Sequence, residues 1–152
     1  MYKSKSIALL LGVLLLLTTG CSTTHKIDTD LTKDLTRDLK HLSPLIEKVQ
    51  FIFTRPDLTY RIDMSNEPSK EELESILTVI KEFTTVDNMN EMARSVNWGL
   101  EMSNVYLDVN TDKNKETIEH SYHARYFKTS NASDHSEANI EGYAIWYDQS
   151  EK

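Results

Sequence analysis

The chain has 152 residues, with 24 acidic against 17 basic side chains, a formal net charge of −7 and a single cysteine. That balance excludes a nucleic-acid or other polyanion partner held by charge, and one cysteine excludes an internal disulfide framework. The length suits one domain that builds its own core.

The first stretch, Met1 to Cys21, reads MYKSKSIALLLGVLLLLTTGC. Lys3 and Lys5 precede an unbroken apolar run from Ile7 to Leu17, and Thr18, Thr19 and Gly20 close it on small residues. As a helix the run reaches about 16 Å, half of a hydrocarbon core of about 30 Å, so it is too short to stay as a span and has the layout of a secretory signal peptide. Its end, Leu17-Thr18-Thr19-Gly20-Cys21, resembles the lipobox of bacterial lipoproteins, with Leu17 one place further from Cys21 than is usual and Thr18 in its slot. The resemblance covers residues 1–21 only. It implies that Cys21 receives a diacylglyceryl group, that residues 1–20 are removed as a signal peptide, and that the new amino group is often acylated too. Two or three acyl chains on one residue hold a protein stably on a membrane, where one myristoyl chain does not. The expected address is the extracytoplasmic face of the cell membrane. In a host with two membranes, Ser22, standing where an aspartate would retain the protein at the inner membrane, points to the outer one. Removal of Lys3 and Lys5 takes the remaining chain to −9.

Residues 21–27 then form the lipidated cysteine and a short polar tether. The segment 28–54 reads as amphipathic helices. DLTK-DLTR-DLKH sets Ile27, Leu31, Leu35, Leu39 and Leu42 near one face, and Asp30 with Lys33 and Asp34 with Arg37 fall at i,i+3. Ser43-Pro44 interrupts the pattern, with Pro44 at the first position of a second helix capped by Ser43 and carrying Leu45, Ile46, Val49, Ile52 and Phe53. Such a segment is either a stalk or a helix pair packed on the domain behind it; the few turns and the proline favour packing.

The remainder, 55–152, reads as an α+β domain. Arg55-Pro56-Asp57 is a turn, and Leu58, Tyr60, Ile62 and Met64 alternate as a half-buried strand. Ser69 and Glu72 form a capping-box pattern ahead of Leu73, Ile76, Leu77, Ile80 and Phe83. A further helix carrying Met89, Met92, Ala93 and Val96 follows Asp87. From Leu100 the period changes to two, over Val105 to Val109, Ile118 to Phe127 and Ile140 to Tyr147, which predicts an antiparallel meander. The expected fold class is therefore α+β: N-terminal amphipathic helices, then a small antiparallel sheet of about four strands covered on one face by helices.

Three constellations in this half carry candidate chemistry. Asp108, Asn110, Asp112 and Glu119 stand at positions 1, 3, 5 and 12 of a stretch that resembles an EF-hand calcium loop. Lys113 replaces the glycine of the tight turn and Lys115 the apolar eighth residue, so the stretch reads as a polar hairpin loop. His120 and His123 are three apart on a strand and point to opposite faces, which separates them as metal ligands. Asp134-His135 lies in the polar 128–139 loop, where its charges are solvated. No nucleophile, base and orienting acid stand together as a catalytic set, and no cofactor is expected. The third constellation is aromatic: Tyr122 and Tyr126 share one face, Tyr143 and Tyr147 share another, and Trp146 points away from the latter pair. The four tyrosines are the candidates for partner binding, and Trp146 is assigned to the core.

Taken together, the sequence predicts a small cell-envelope lipoprotein whose acidic domain is a binding module for a protein partner in the envelope rather than an enzyme. An enzyme acting on envelope polymers would need acids or histidines converging in a cleft. An exclusion or immunity-type protective lipoprotein would present a patch to one membrane protein.

Overall fold

The computed structural model describes residues 24–112, 114 and 116–150; the signal-like stretch and Cys21 lie outside the described residues. Six strands, β1 (Thr24–Lys26), β2 (Ile46–Thr54), β3 (Asp57–Met64), β4 (Asn104–Asn110), β5 (His120–Arg125) and β6 (Trp146–Asp148), form one sheet in the order in which they occur along the chain. Among the described residues three helices, α1 (Asp30–Leu42), α2 (Lys70–Phe83) and α3 (Val86–Ser95), accompany the sheet. The neighbours β3 and β4 are parallel, with Leu58 opposite Val105 and Ile62 opposite Val109, and every other pair is antiparallel.

This corrects the expected fold class in three respects. The sheet has six strands rather than about four, it is mixed rather than antiparallel, and the 28–54 segment contains one helix followed by a strand. The parallel pair follows from the connection: α2 and α3 lie between β3 and β4, and a crossover through helices returns the chain in the direction it left. β1 is formed by three polar residues of the expected tether 21–27, paired with Ile52 to Thr54.

β2 is a strand where the sequence pattern predicts a helix, because its pairing with β3 carries a bulge between Ile46 and Lys48. An extra residue shifts the alternation by one, so Ile46 and Phe51 are both buried although they are an odd number apart. Added to Val49, Ile52 and Phe53, that spacing imitates a helical face. Ser43 does not open a second helix. It ends α1 as its C-cap, is fully buried, donates its Oγ proton to Glu72 Oε1 at 2.6 Å and accepts from the Leu45 amide at 3.2 Å. Pro44 then sits in the turn into β2.

The helices start where side chains cap them. Thr29 and Thr32 exchange hydrogen bonds at the head of α1, and Ser69 and Glu72 do so at the head of α2. The four-residue leucine period drifts around a 3.6-residue helix, which leaves Leu35 and Leu39 buried but Leu42 at 37% exposure. All three helices contribute to one apolar cluster, with Leu35, Leu39, Ile76, Ile80, Met89 and Met92 over Phe53, Leu58, Tyr60, Ile62, Val105 and Leu107. Tyr60 is fully buried at its centre. Its ring meets Phe51 and Phe83 edge-on, its hydroxyl donates to Met89 Sδ at 3.3 Å and accepts from Thr84 Oγ1 at 3.3 Å, and burial pushes its pKa far up.

Candidate functional site

Strand geometry sends alternate residues to opposite faces, so every strand that puts one residue under the helices presents the next to the other side. On that second face lie Gln50, Arg61, Asp108 and Ser121 in one cross-strand row, and Ile52, Thr59, Tyr106, His123 and Tyr147 in the next. None of them belongs to the apolar cluster, and all are half-buried. The aromatic members stack in a ladder. Tyr106 and His123 have ring centroids 6.0 Å apart at 26°, and His123 and Tyr147 are 5.0 Å apart at 27°. Strands spaced about 4.8 Å apart place such rings in register, each against the next.

An ion pair closes the ladder at the β6 side. The Glu141 side chain is only 4% exposed, and its two oxygens accept from Arg125 Nε at 3.2 and 3.3 Å. Arg125 Nη2 donates to Glu141 Oε2 at 3.3 Å and to the Tyr147 hydroxyl at 3.1 Å. The Tyr147 hydroxyl in turn donates to Glu141 at 3.4 Å, and the guanidinium lies 5.2 Å from the Tyr147 ring centroid. The hydrogen bond to Glu141 raises the Arg125 pKa further. A carboxylate so enclosed is tolerated because a planar, two-toothed donor and a phenol satisfy it together.

The neighbouring row holds a second carboxyl. Asp108 Oδ1 accepts from Ser121 Oγ at 2.9 Å. Burial raises its pKa, and the Ser121 hydrogen bond and the Arg61 charge pull it only part of the way back. Burial, helped by the charges of Asp57 and Asp108, also raises the Tyr106 pKa. Arg61 bonds Asp63 through Nε at 3.1 Å. The face thus offers phenol and imidazole edges, a guanidinium and a carboxyl that protonates more readily than usual. These groups suit polar and aromatic recognition.

The sequence-predicted residues are dispersed by this architecture. Tyr147 stands on the open face. Tyr122 packs against the apolar cluster on the helix side. Tyr126 is buried against Phe127 and Tyr143, with ring centroids at 4.8 and 5.6 Å. Tyr143 is buried and its hydroxyl donates to the Met102 carbonyl at 2.7 Å; burial raises its pKa strongly. Tyr143 and Tyr147 do not share a face, because Gly142 and Tyr143 take φ of 59° and 65° and turn the chain before the short β6 begins. Trp146 is partly buried against the core, as Tyr147 faces the other way.

The four calcium-loop candidates are each engaged locally. Asp108 holds Ser121, the Asn110 amide donates to the carbonyls of Asn114 and Thr117 at 2.8 Å, Asp112 accepts from the Asn114 amide at 2.6 Å, and Glu119 accepts from the Thr111 amide at 2.8 Å. That backbone hydrogen bond lowers the Glu119 pKa. Among the described residues no group of three or more His, Cys, Asp or Glu side chains is arranged to hold a metal ion. His120 and His123 face opposite ways, His120 Nε2 lying 2.6 Å from Glu67 Oε1. The Thr111 hydroxyl, which donates to Glu67 at 2.6 Å, and then His120 lower the Glu67 pKa.

Tyr106, Arg125 and Glu141 were not singled out from the sequence. The signal for Tyr106 was available, since it alternates with Val105 and Leu107 and therefore had to face away from the core. The signal for Arg125 with Glu141 was not, because the pair is made by a loop that returns to β5 through hydrogen bonds from the Glu141 and Gly142 amides to the Tyr126 carbonyl.

No family model matches this chain, and no curated protein or solved structure matches it either. Among the described residues no helix is long and apolar enough to cross a membrane.

Proposed function

We propose that this is a lipid-anchored binding module of the bacterial cell envelope, held at the extracytoplasmic face of the membrane through Cys21, whose open sheet face engages a protein partner. The observation that carries the binding role is the Tyr106–His123–Tyr147 ladder with the Arg125–Glu141 pair at its side. Tyr and Arg are enriched among the residues that concentrate binding energy at protein interfaces, Tyr for its large rigid area with a polar end and Arg for its planar set of donors. Here Tyr106 and Tyr147 stand in one cross-strand row on the face that the helices leave open, and Arg125, two residues on from His123, bonds the Tyr147 hydroxyl. The anchor reading is supported by the lipobox-like end of the first stretch. A partner carried to this face needs no entry into a closed cleft.

The test is site-specific photocrosslinking in growing cells. A benzophenone amino acid replaces Ile52, beside the ladder, in one strain and Thr78, on the exposed side of α2, in another. A discrete adduct from position 52, lost when Tyr147→Ala and Arg125→Ala are added and absent from position 78, is the expected result. Equal adducts from both positions, or none from position 52, would overturn the assignment. Labelling with a palmitate analogue, expected to be lost in Cys21→Ala, checks the anchor separately.

A further inference from the structure

At the end of the sheet where β1 begins, the loop between α3 and β4 carries an unusual combination. The loop is fixed in place. Asn97 adopts a left-handed conformation, φ 57°, directly after the cap of α3. The Asn97 amide donates to the Arg94 carbonyl at 3.1 Å and the Trp98 amide to the Ala93 carbonyl at 2.9 Å, the paired bonds that terminate a helix on a left-handed residue. Trp98 therefore has a defined position, with its ring 5.7 Å from Phe53 and the Arg55 guanidinium 5.4 Å from the ring centroid. Two residues on, Leu100 is 64% exposed. Gly99 and the exposed Arg94 complete a shallow depression of about 370 Å³ beside Trp98 and Leu100.

The strand β1 begins at this same place. Thr24 pairs with Thr54, their hydroxyls 3.3 Å apart, and Thr54 is followed by Arg55, the residue that lies over Trp98. Only Ser22 and Thr23 separate Thr24 from Cys21. Three peptide steps reach at most about 11 Å even when fully extended. A bilayer's polar layer is about 6 Å thick on each side, so with a lipid on Cys21 Thr24 stands at most about 5 Å beyond the headgroups even when the tether is fully extended.

We infer that the Trp98–Gly99–Leu100 loop, with Arg55 and Arg94, is a membrane-contact surface that docks on the phospholipid bilayer holding the Cys21 lipid and so fixes the orientation of the domain. This rests on the reading of Cys21 as the anchor. A tryptophan at headgroup level, a leucine beyond it and cations around them are the side chains that bilayer interfaces favour. Arg55, Arg94 and the exposed Lys128 supply positive charge at this end of a chain that is otherwise acidic. Acids also lie at this end: Glu101 lines the same depression, Glu91 precedes Arg94 by three residues on α3, and Asp57 accepts from the Asn104 amide at 2.9 Å. Docked this way, β2 to β5 rise from the membrane, and the open face with its ladder stands sideways to it, within reach of a partner embedded in the same bilayer.

The experiment uses the full chain produced in its lipidating host, carrying Trp146→Phe so that Trp98 is the only indole, and incorporated into vesicles of phosphatidylcholine and phosphatidylglycerol in equal parts. Bromine on the upper acyl carbons quenches an indole that lies at the interface, and mass analysis of the Cys21 peptide reports the lipid. We expect bromolipid to remove most of the Trp98 emission, and Leu100→Asp with Arg55→Glu to restore it while the lipid on Cys21 is unchanged. Lipid on Cys21 with Trp98 unquenched would overturn the contact and leave the anchor standing. A Cys21 peptide without lipid would overturn both, the anchor by its mass and the contact by the loss of the tether that places it.

Discussion

β4 carries both faces of the sheet in one strand. Val105, Leu107 and Val109 are fully buried under the helices, while Tyr106 and Asp108, between them in the chain, are half-buried on the open side. The covered face is filled by apolar groups in van der Waals contact and resists change through packing. The open face is filled by rings and charges that satisfy one another, and it has fewer neighbours to disturb. Stability is therefore concentrated on one side of the sheet and recognition chemistry on the other. Substitutions at adjacent positions should have very different consequences.

The largest effect is expected at Leu107→Ala. A leucine with no exposed surface, replaced by alanine, loses its transfer free energy and leaves a cavity, a cost of about 2–5 kcal/mol in unfolding measured by denaturant titration. A loss well below that range would mean that the helices settle onto the sheet to fill the space. Arg125→Ala should come next, because it leaves the enclosed Glu141 carboxylate with only the Tyr147 hydroxyl. The double variant Arg125→Ala, Glu141→Ala should regain part of the lost stability, since the penalty lies in the orphaned charge more than in the missing contact. No recovery in such a double-mutant cycle would show that the two side chains act through packing alone. Tyr106→Ala should cost least of the three, about 1 kcal/mol or less, because a half-buried ring on an open face gives up little area. That variant should nevertheless lose the photocrosslink to the partner, which separates binding from stability at one position.

The same division explains which parts of the molecule could be read from the sequence. β3, the capped helix α2, α3 and β4 follow the elementary rules: strict alternation from Leu58 to Met64, Ser69 with Glu72 at the helix start, and apolar residues three and four apart after it. β2 did not, since one bulged residue changes the phase of its alternation. β1 did not, since three polar residues acquire a strand conformation only when Thr54 and its neighbours are there to pair with them. The last aromatic segment failed for a local reason. Its alternation is broken by two consecutive left-handed residues, one of them a tyrosine, a conformation that a side chain with a Cβ rarely adopts and that only tertiary contacts such as the Tyr143–Met102 hydrogen bond sustain. The Arg125–Glu141 pair belongs to that unreadable part, because 16 residues and an irregular loop separate its members. Tyr147 could be placed only on a face, and which face was open depended on where the helices went.

The smallest expected effect discriminates most finely between the two faces. Asp108 is held with a raised pKa, chiefly by burial, against the partial opposition of Ser121 and Arg61. A carboxyl that binds its proton more tightly in the folded than in the unfolded chain makes stability fall as pH rises from the unfolded pKa, about 3.8, to the higher folded one. Above that window the loss is complete, so at neutral pH the ionised Asp108 is a small burden on the fold. Asp108→Asn keeps the shape and an oxygen for the Ser121 hydroxyl but carries no charge. It should therefore be slightly more stable than the parent at about pH 7 and indistinguishable from it at about pH 3, where Asp108 is protonated in both states. Thermal melts of both proteins at the two pH values would show a positive difference that vanishes with acid. If Asp108→Asn is instead destabilised at neutral pH, the Arg61 attraction outweighs burial, and the open face is held together by its charges rather than tolerating them. If the expected sign is found, a carboxylate is kept on the uncovered side of the sheet at a cost to stability, as a residue retained for contact with a partner would be.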